Sequence, residues 1–143
     1  KMNKIILSLS LVIFSTFSFA DHHALSLEAR QSTTELELTS VTLGKDVSII
    51  NAETQMGVYG RVYMTFTLAS NAAGDRGTYT FEGRGYVDKD TVSSGTGVGV
   101  WHRSGANLIM DQLINISDGT INFDRIIMDP LNRTASIDVY ILK

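Results

Sequence analysis

Apolar and polar residues alternate in short repeated segments along most of this 143-residue chain, and this alternation restricts the folds that the chain can adopt. From residue 57 onward, segments rich in Val, Ile, Thr, Tyr and Phe are separated by turn residues at roughly 8–12-residue spacing, which is typical of antiparallel sheets. The pattern predicts strands over 57–69, 77–87, 91–103, 107–116, 120–128 and 134–142. Upstream, 33–43 and 46–50 add one or two strands, and 23–31 fits either a helix or a frayed end.

Six to eight consecutive strands joined by hairpins must bury one face and protect their edges. Closing the sheet into a barrel removes the edges altogether. The sequence therefore predicts an all-β fold, an antiparallel up-and-down β-barrel of about eight strands, in a single domain over residues 21–143. An open β-sandwich is the alternative.

The first twenty residues have the composition of a secretory signal peptide. Lys1 and Lys4 precede an apolar stretch, and Ser18-Phe19-Ala20 supplies small residues before a cleavage site. The apolar stretch is shorter than the ~20 residues that a bilayer requires. We therefore expect cleavage after Ala20, no integral membrane segment afterwards, and a periplasmic or secreted protein.

Composition excludes several classes of site. The chain has no cysteine, which rules out disulfides, zinc–thiolate sites and thiol nucleophiles. A net charge of −3 without any Lys/Arg cluster argues against a nucleic-acid partner. No phosphate loop or dinucleotide fingerprint is found, so no cofactor is expected. The sequence Asp21-His22-His23 has the third-position histidine of a terminal Cu(II) or Ni(II) site if cleavage follows Ala20; a frayed polar terminus is the alternative.

Hairpin registers predict which side chains meet inside the barrel. Asp118-Gly119 suits a two-residue type I′ turn. That turn pairs Gln112 with Arg125 and places both on the inner face. Five glycines of two adjacent strands also point inward, which indicates either a cavity or strong curvature: Gly83, Gly85, Gly95, Gly97 and Gly99.

An inward Arg125 requires a partner, because a guanidinium keeps its proton in proteins. In this register no acidic residue faces inward, and Asp124 in particular points outward. We therefore predict that Arg125 and Gln112 bind the carboxylate of a hydrophobic ligand. The predicted tail site consists of Met64, Phe66, Phe81, Trp101 and Phe123. Two alternatives stay open: a bulge that shifts the register, or an Arg125 that extends to solvent at the barrel mouth.

The opposite face carries aromatic and charged side chains: Tyr59, Arg61, Tyr63, Glu82, Arg84, Tyr86 and His102. The predicted pairing sets Tyr63 opposite Arg84 and Arg61 opposite Tyr86. Such a face is either solvated or a subunit interface in a homo-oligomer. If the barrel were turned inside out, Glu82, Tyr63 and His102 would form an acid–base group in a polar lumen.

One short segment carries a family likeness. Gly57-Val58-Tyr59-Gly60-Arg61-Val62 resembles a Gly-Val-Tyr-Gly-x-Val segment of allene oxide cyclases, whose barrel is similar to that of dirigent proteins. The resemblance implies an eight-stranded barrel with an apolar lumen that steers reactive hydrophobic substrates, often in an oligomer. None of the catalytic positions of those enzymes can be matched to this sequence.

Three functions follow as expectations. The first is an exported barrel that binds a hydrophobic, anionic small molecule in its lumen. The second is a cofactor-independent cyclase or isomerase of the allene oxide cyclase or dirigent type. The third is a non-catalytic envelope protein that binds a partner or serves a structural role.

Overall fold

The computed structural model describes residues 24–143. The signal peptide predicted for 1–20 and the Asp21-His22-His23 metal site lie outside the described residues. The strands are β1 (Leu27–Ala29), β2 (Thr34–Thr42), β3 (Val47–Gln55), β4 (Arg61–Ala69), β5 (Arg76–Tyr86), β6 (Val92–Ser104), β7 (Asn107–Ile116), β8 (Ile121–Asp129) and β9 (Thr134–Leu142). One 3-10 turn, Gly57–Tyr59, precedes β4.

The strands form a closed antiparallel barrel, which confirms the predicted fold. Neighbours follow the chain order from β2 to β9, and β9 returns to pair with β2. The small strand β1 pairs with the end of β9 that β2 leaves free. The barrel therefore has eight strands with one extra strand, and no open sandwich edge is formed between β2 and β9.

Alternation on each strand sets the inner and outer faces. The inner side chains form one apolar core in which Phe66, Met110, Ile126 and Met128 are completely buried. The predicted pairing of β4 with β5 is confirmed, since Tyr63 lies opposite Arg84; the same register sets Phe66 opposite Phe81. Burial of these side chains against one another stabilises the barrel, at about 25 cal/mol for each Å² of apolar surface removed from water.

The predicted helix or frayed end over 23–31 is instead the short strand β1, followed by an interruption before β2. Leu27–Ala29 and Thr34–Glu37 pair with successive parts of β9. Between them Arg30 keeps one backbone hydrogen bond to β9, from its N–H to the carbonyl of Val139 at 2.9 Å. The interruption leaves the Arg30 side chain at the same end of the barrel as the β7–β8 turn, where it contacts Thr120.

Candidate functional site

The β7–β8 turn decides which side chains of β8 enter the barrel. It contains three residues, 117–119, because Ile116 donates its backbone N–H to Thr120 and Asn115 pairs with Ile121. A type I′ turn requires a positive φ at both central residues. Gly119 has a φ of 88°, but the φ of Asp118 is not positive. The predicted two-residue turn is therefore wrong. One added loop residue reverses the facing of β8.

Arg125 consequently lies outside the barrel, and its predicted place on the inner face is wrong. Its side chain is 54% exposed and forms a bidentate ion pair with Asp111, at 2.7 Å from Nε to Oδ1 and 2.8 Å from Nη2 to Oδ2. The pair holds the pKa of Asp111 below its usual range. Phe123 also lies on the outer face, with its ring 6.4 Å from that of Tyr140, so its predicted inward position is wrong as well.

The other predicted site residues lie inside the barrel, as their alternation indicates: Gln112, Trp101, Phe81, Met64 and Phe66 are all buried. The apolar ones pack against their neighbours. The Phe66 and Phe81 rings are 5.3 Å apart, and Trp101 donates a hydrogen bond of 2.9 Å to the carbonyl of Ala69. This part of the interior is filled by the protein's own side chains. That these residues contact a ligand stays a prediction.

The reversed strand brings Asp124 into the core. The residue is only 3% exposed, and Oδ2 accepts a hydrogen bond of 3.1 Å from Nε2 of Gln112. Burial raises the pKa of Asp124 to about 7; the hydrogen bond from Gln112 and the positive charge of Arg30 act in the opposite direction. Its second oxygen, Oδ1, has no hydrogen-bond partner among residues 24–143. The inner face of β8 thus carries a carboxyl group where the sequence register predicts the guanidinium of Arg125.

Asn122 lies next to Asp124 along the inner face of β8, because side chains two apart on a strand share a face. Its Nδ2 donates a hydrogen bond of 2.8 Å to the Tyr59 hydroxyl, and its Oδ1 is buried without a partner in the described part of the chain. Asn122 and Asp124 therefore each present an unpaired acceptor oxygen to the interior.

Tyr59 reaches this position because the chain makes a 3-10 turn before β4. Gly57 and Gly60, on either side, have φ of 44° and 67°, values that glycine adopts without strain. The predicted start of the strand at residue 57 and the predicted outward Tyr59 are therefore wrong: β4 begins at Arg61, and Tyr59 is buried. The two glycines of the Gly-Val-Tyr-Gly segment place a tyrosine in the barrel mouth.

Arg30 covers this tyrosine from the solvent side. Its guanidinium carbon is 5.5 Å from the centre of the Tyr59 ring, and Nη2 donates a hydrogen bond of 2.8 Å to Thr120 Oγ1. Asp118, in the β7–β8 turn, is 3.7 Å from Nη1. Only 12% of the Arg30 side chain is exposed. The cation and the aromatic ring together close part of the mouth.

Tyr79 projects into the barrel from β5, three strands away from β8. Its ring lies across Gly99, because a Cβ built on Gly99 would be 2.5 Å from Tyr79 Cζ. Gly99 pairs with Gln112, and Gln112 pairs with Asp124, so these positions form one row across the barrel. Burial and the nearby Asp124 raise the pKa of the Tyr79 hydroxyl. One inward glycine therefore makes room for an aromatic ring rather than for an empty cavity.

A cavity of about 40 Å³ lies beside this polar group, enough for a few water-sized atoms. Asn122 and Asp124 line it together with Tyr59, Arg84, Ser93 and Ser94, and its remaining walls are apolar side chains and glycines: Met56, Val62, Met64, Phe81, Gly83, Gly85, Gly95, Ile114, Ile116, Ile137 and Val139. The site can thus hold a small polar group, surrounded by apolar walls, against two unpaired acceptors.

No protein-family model, curated protein or solved structure matches this chain. The resemblance of 57–62 to allene oxide cyclases therefore stays a prediction, and the site is interpreted from its own chemistry. Residues 24–143 include no helix of a length and hydropathy that would span a membrane.

The inside-out alternative is wrong. Glu82, Tyr63 and His102 all lie exposed on the outer face. The predicted outer pairs, Tyr63 with Arg84 and Arg61 with Tyr86, are confirmed. Sequence reasoning missed Asp124, Asn122, Tyr59, Tyr79 and Arg30 as site residues. The signal for Asp124 was present, since a carboxyl group can be buried by taking up a proton whereas a guanidinium cannot be neutralised.

Proposed function

We propose that the barrel binds an apolar small molecule at its mouth and that this molecule presents a hydrogen-bond donor to Asp124. The observation that carries the proposal is the pair of unpaired acceptors, Asp124 Oδ1 and Asn122 Oδ1, in residues that line the cavity. A buried polar atom without a partner costs about 1–3 kcal/mol. A ligand hydroxyl or ammonium would recover part of that cost on binding.

The charge of the site favours a ligand that donates a hydrogen bond over a ligand that carries a negative charge. The expected carboxylate ligand depended on an inward Arg125, and that residue is paired with Asp111 outside. A ligand carboxylate beside Asp124 would place two anionic groups in one apolar site, where repulsion is weakly screened. The proposed ligand is therefore hydrophobic, as expected from the sequence, but neutral or cationic at its polar end.

The size of the cavity limits how the ligand binds. A volume of about 40 Å³ admits a head group and not a whole chain. We propose that the head enters between Asn122 and Asp124. The apolar remainder then lies along Met56 and Ile116 toward the mouth.

Acid–base catalysis is the second candidate, because the pKa of Asp124 is raised to about 7. A carboxylate of that basicity can accept a proton from a carbon beside a carbonyl group and return it at another carbon near neutral pH. That reaction is an isomerisation without a cofactor. Asn122 and Gln112 would position the carboxyl and the substrate oxygen.

We also propose that the protein is exported to the periplasm or secreted, on the composition of residues 1–20. Cell fractionation with the N-terminal sequence of the recovered protein tests this proposal. A chain that begins at Asp21 would support it, whereas an uncleaved chain in the cytoplasmic fraction would refute it.

Three probes of equal chain length, octylamine, octanol and octanoate, test the binding proposal by isothermal titration at pH 8. The amine and the alcohol should bind, and octanoate should bind at least tenfold more weakly. Asp124→Ala should abolish the preference, and Asp138→Asn on the outer face is the matched control. Octanoate as the tightest ligand, or unchanged amine binding to Asp124→Ala, would refute the proposal.

Catalysis is tested separately with a linear β,γ-unsaturated octenone in D₂O, followed by NMR. Deuterium uptake and migration of the double bond should require Asp124 and should be lost in Asp124→Asn. Exchange at the buffer rate with the native protein would rule out this candidate and leave the binding proposal standing.

A further inference from the structure

A second recessed surface lies on the outside of the barrel, over strands β3 to β6. Its volume is about 540 Å³, which is within the usual range of small-molecule sites, about 300–1000 Å³. The paired glycines Gly83 and Gly95 contribute to its floor. The side chains that surround them are polar and aromatic, and they form what we call the outer groove: Asn51, Tyr63, Thr65, Glu82, Arg84 and Tyr86.

Two tyrosines form one wall of the outer groove. Tyr63 is 50% exposed and Tyr86 is 47% exposed, and their rings meet edge to face with centroids 6.0 Å apart. Arg61 lies 6.0 Å from the Tyr63 ring centre and is held by a hydrogen bond of 2.8 Å to Glu53. The ring of Tyr63 is therefore supported from two sides while half of its surface faces solvent. A ring held in this way loses little freedom when a ligand packs on it.

Planar polar side chains lie beside the tyrosines. Glu82 and Arg84 project from β5 on the same face, and neither forms an ion pair or a side-chain hydrogen bond with residues 24–143. Asn51, at the far side, is fixed by a hydrogen bond of 2.7 Å from Thr65 and one of 2.8 Å to Ser40. The groove thus offers free donors and acceptors next to an ordered amide.

The charges of the groove select the class of ligand. Arg84 is balanced by Glu82 on the same strand, and Arg61 is balanced by Glu53. A phosphate backbone requires an excess of cations, which this face lacks. An apolar ligand would leave the free charged groups without partners. A neutral molecule with many hydroxyl groups and an apolar face meets both conditions.

From these contacts we infer that the outer groove binds a neutral saccharide. The C–H face of a sugar ring packs on Tyr63 and Tyr86, which supply an apolar surface with a polar edge. Its hydroxyls exchange hydrogen bonds with the Glu82 carboxylate and the Arg84 guanidinium, which can contact two neighbouring oxygens at once. Residues on adjacent strands are about 4.8 Å apart, so the three strands β4 to β6 accommodate a short oligosaccharide rather than a single ring.

The groove is independent of the lumenal site in its chemistry. The linings of the two cavities share several residues, Arg84 among them. Asp124 lines only the inner cavity, however, and Tyr63, Glu82 and Tyr86 line only the outer groove. Saccharide binding therefore does not depend on the function proposed for the lumen.

Isothermal titration with maltohexaose, cellohexaose, chitohexaose and xylohexaose tests the inference. At least one should bind with a dissociation constant below 1 mM, and Tyr63→Ala or Glu82→Gln should weaken it at least tenfold. Tyr140→Ala, a tyrosine variant on another part of the outer face, and Asp124→Asn in the lumen should bind as the native protein does. Thermal unfolding of each variant shows that it is folded.

Three results would overturn the inference. They are no binding of any of the four sugars, binding that survives both groove substitutions, or equal weakening by Tyr140→Ala. Self-association that is lost in Tyr63→Ala, without sugar binding, would instead assign this face to a protein contact and refute the saccharide site.

Discussion

Gln112 donates a hydrogen bond of 3.1 Å from Nε2 to Oδ2 of Asp124 in the buried interior of the barrel. This contact pairs the one amide of β7 that faces inward with the one carboxyl of β8 that does so. It satisfies only one oxygen of Asp124, and burial still raises the pKa of that residue to about 7. The carboxyl group is therefore held close to the midpoint of its titration at neutral pH.

Stability should fall as the pH rises through the range in which Asp124 ionises. In the unfolded chain the carboxyl loses its proton near pH 3.8, whereas in the folded barrel it keeps the proton until about pH 7. Between these values the folded state binds more protons, so the free energy of unfolding decreases with pH. We expect a loss of about 2–3 kcal/mol between pH 5 and pH 8, measured by urea unfolding.

Asp124→Asn is the matched variant for this measurement, because it keeps the shape and removes the titration. It should unfold with nearly equal free energy at pH 5 and pH 8. Asp111 and Asp118, whose pKa values are lowered by hydrogen bonds, act below pH 4 and do not contribute in this window. An unchanged pH slope in Asp124→Asn would show that another group is responsible.

Gly99→Ala should destabilise the barrel. A Cβ at this position would lie 2.5 Å from Tyr79 Cζ and 2.4 Å from the backbone oxygen of Asp111. The backbone oxygen is fixed in the ladder, so the strand or the Tyr79 ring must shift, at a cost of about 1–3 kcal/mol. Thermal unfolding measures the loss. Gly74→Ala, where nothing lies within 4 Å but φ is 69°, separates steric overlap from backbone strain.

Tyr59→Phe removes only the hydroxyl that accepts the hydrogen bond of Asn122. The Nδ2 group of Asn122 would then be buried without an acceptor, which costs about 1–3 kcal/mol. We expect this loss by urea unfolding, together with weaker binding of octylamine, because the freed amide no longer holds its oxygen toward the cavity. Adding Asn122→Ala to Tyr59→Phe should regain part of the lost stability. If Asn122→Ala instead destabilised the Tyr59→Phe variant as much as it destabilises the native protein, the two side chains would not be coupled.

Arg125→Ala should change little. The ion pair with Asp111 is on the surface, and exposed pairs of this kind contribute about 0–1 kcal/mol. Binding of the octyl probes should match that of the native protein. A large loss of lumenal binding in this variant would show instead that Arg125 faces inward, as the sequence register predicts.

The fold could be predicted because it follows from a pattern of apolar and polar residues that every strand repeats. Successive residues of strands β4 to β7 alternate between the inner and the outer face, with Met64 and Trp101 among the inner ones. The turn of each hairpin marks where its two strands end and begin. Their facing followed from the period of two, and it does not depend on the exact hairpin register as long as an error in that register is an even number of residues. A displacement of two leaves each side chain on the same face.

The candidate site could not be predicted because β8 does not alternate clearly. Both faces of this strand carry apolar residues: Ile121, Phe123 and Ile127 on the outer face, and Ile126 and Met128 on the inner face. The turn alone then sets the register, and Asp118-Gly119 serves a two-residue turn and a three-residue turn with equal ease. Whether Asp124 or Arg125 faces inward depends on that one loop residue. The cost of burying a guanidinium was the physical signal that favoured Asp124.

The pKa of the Asp124 carboxyl shows whether this group is buried at the polar end of the cavity. It can be measured from the ¹³C chemical shift of the side-chain carboxyl in a pH titration, with Asp124→Asn to assign the resonance. We expect a midpoint near 7, and a shift of that midpoint when octylamine binds. A midpoint near 4, the value of an exposed aspartate, would contradict a buried carboxyl at the polar end of the cavity.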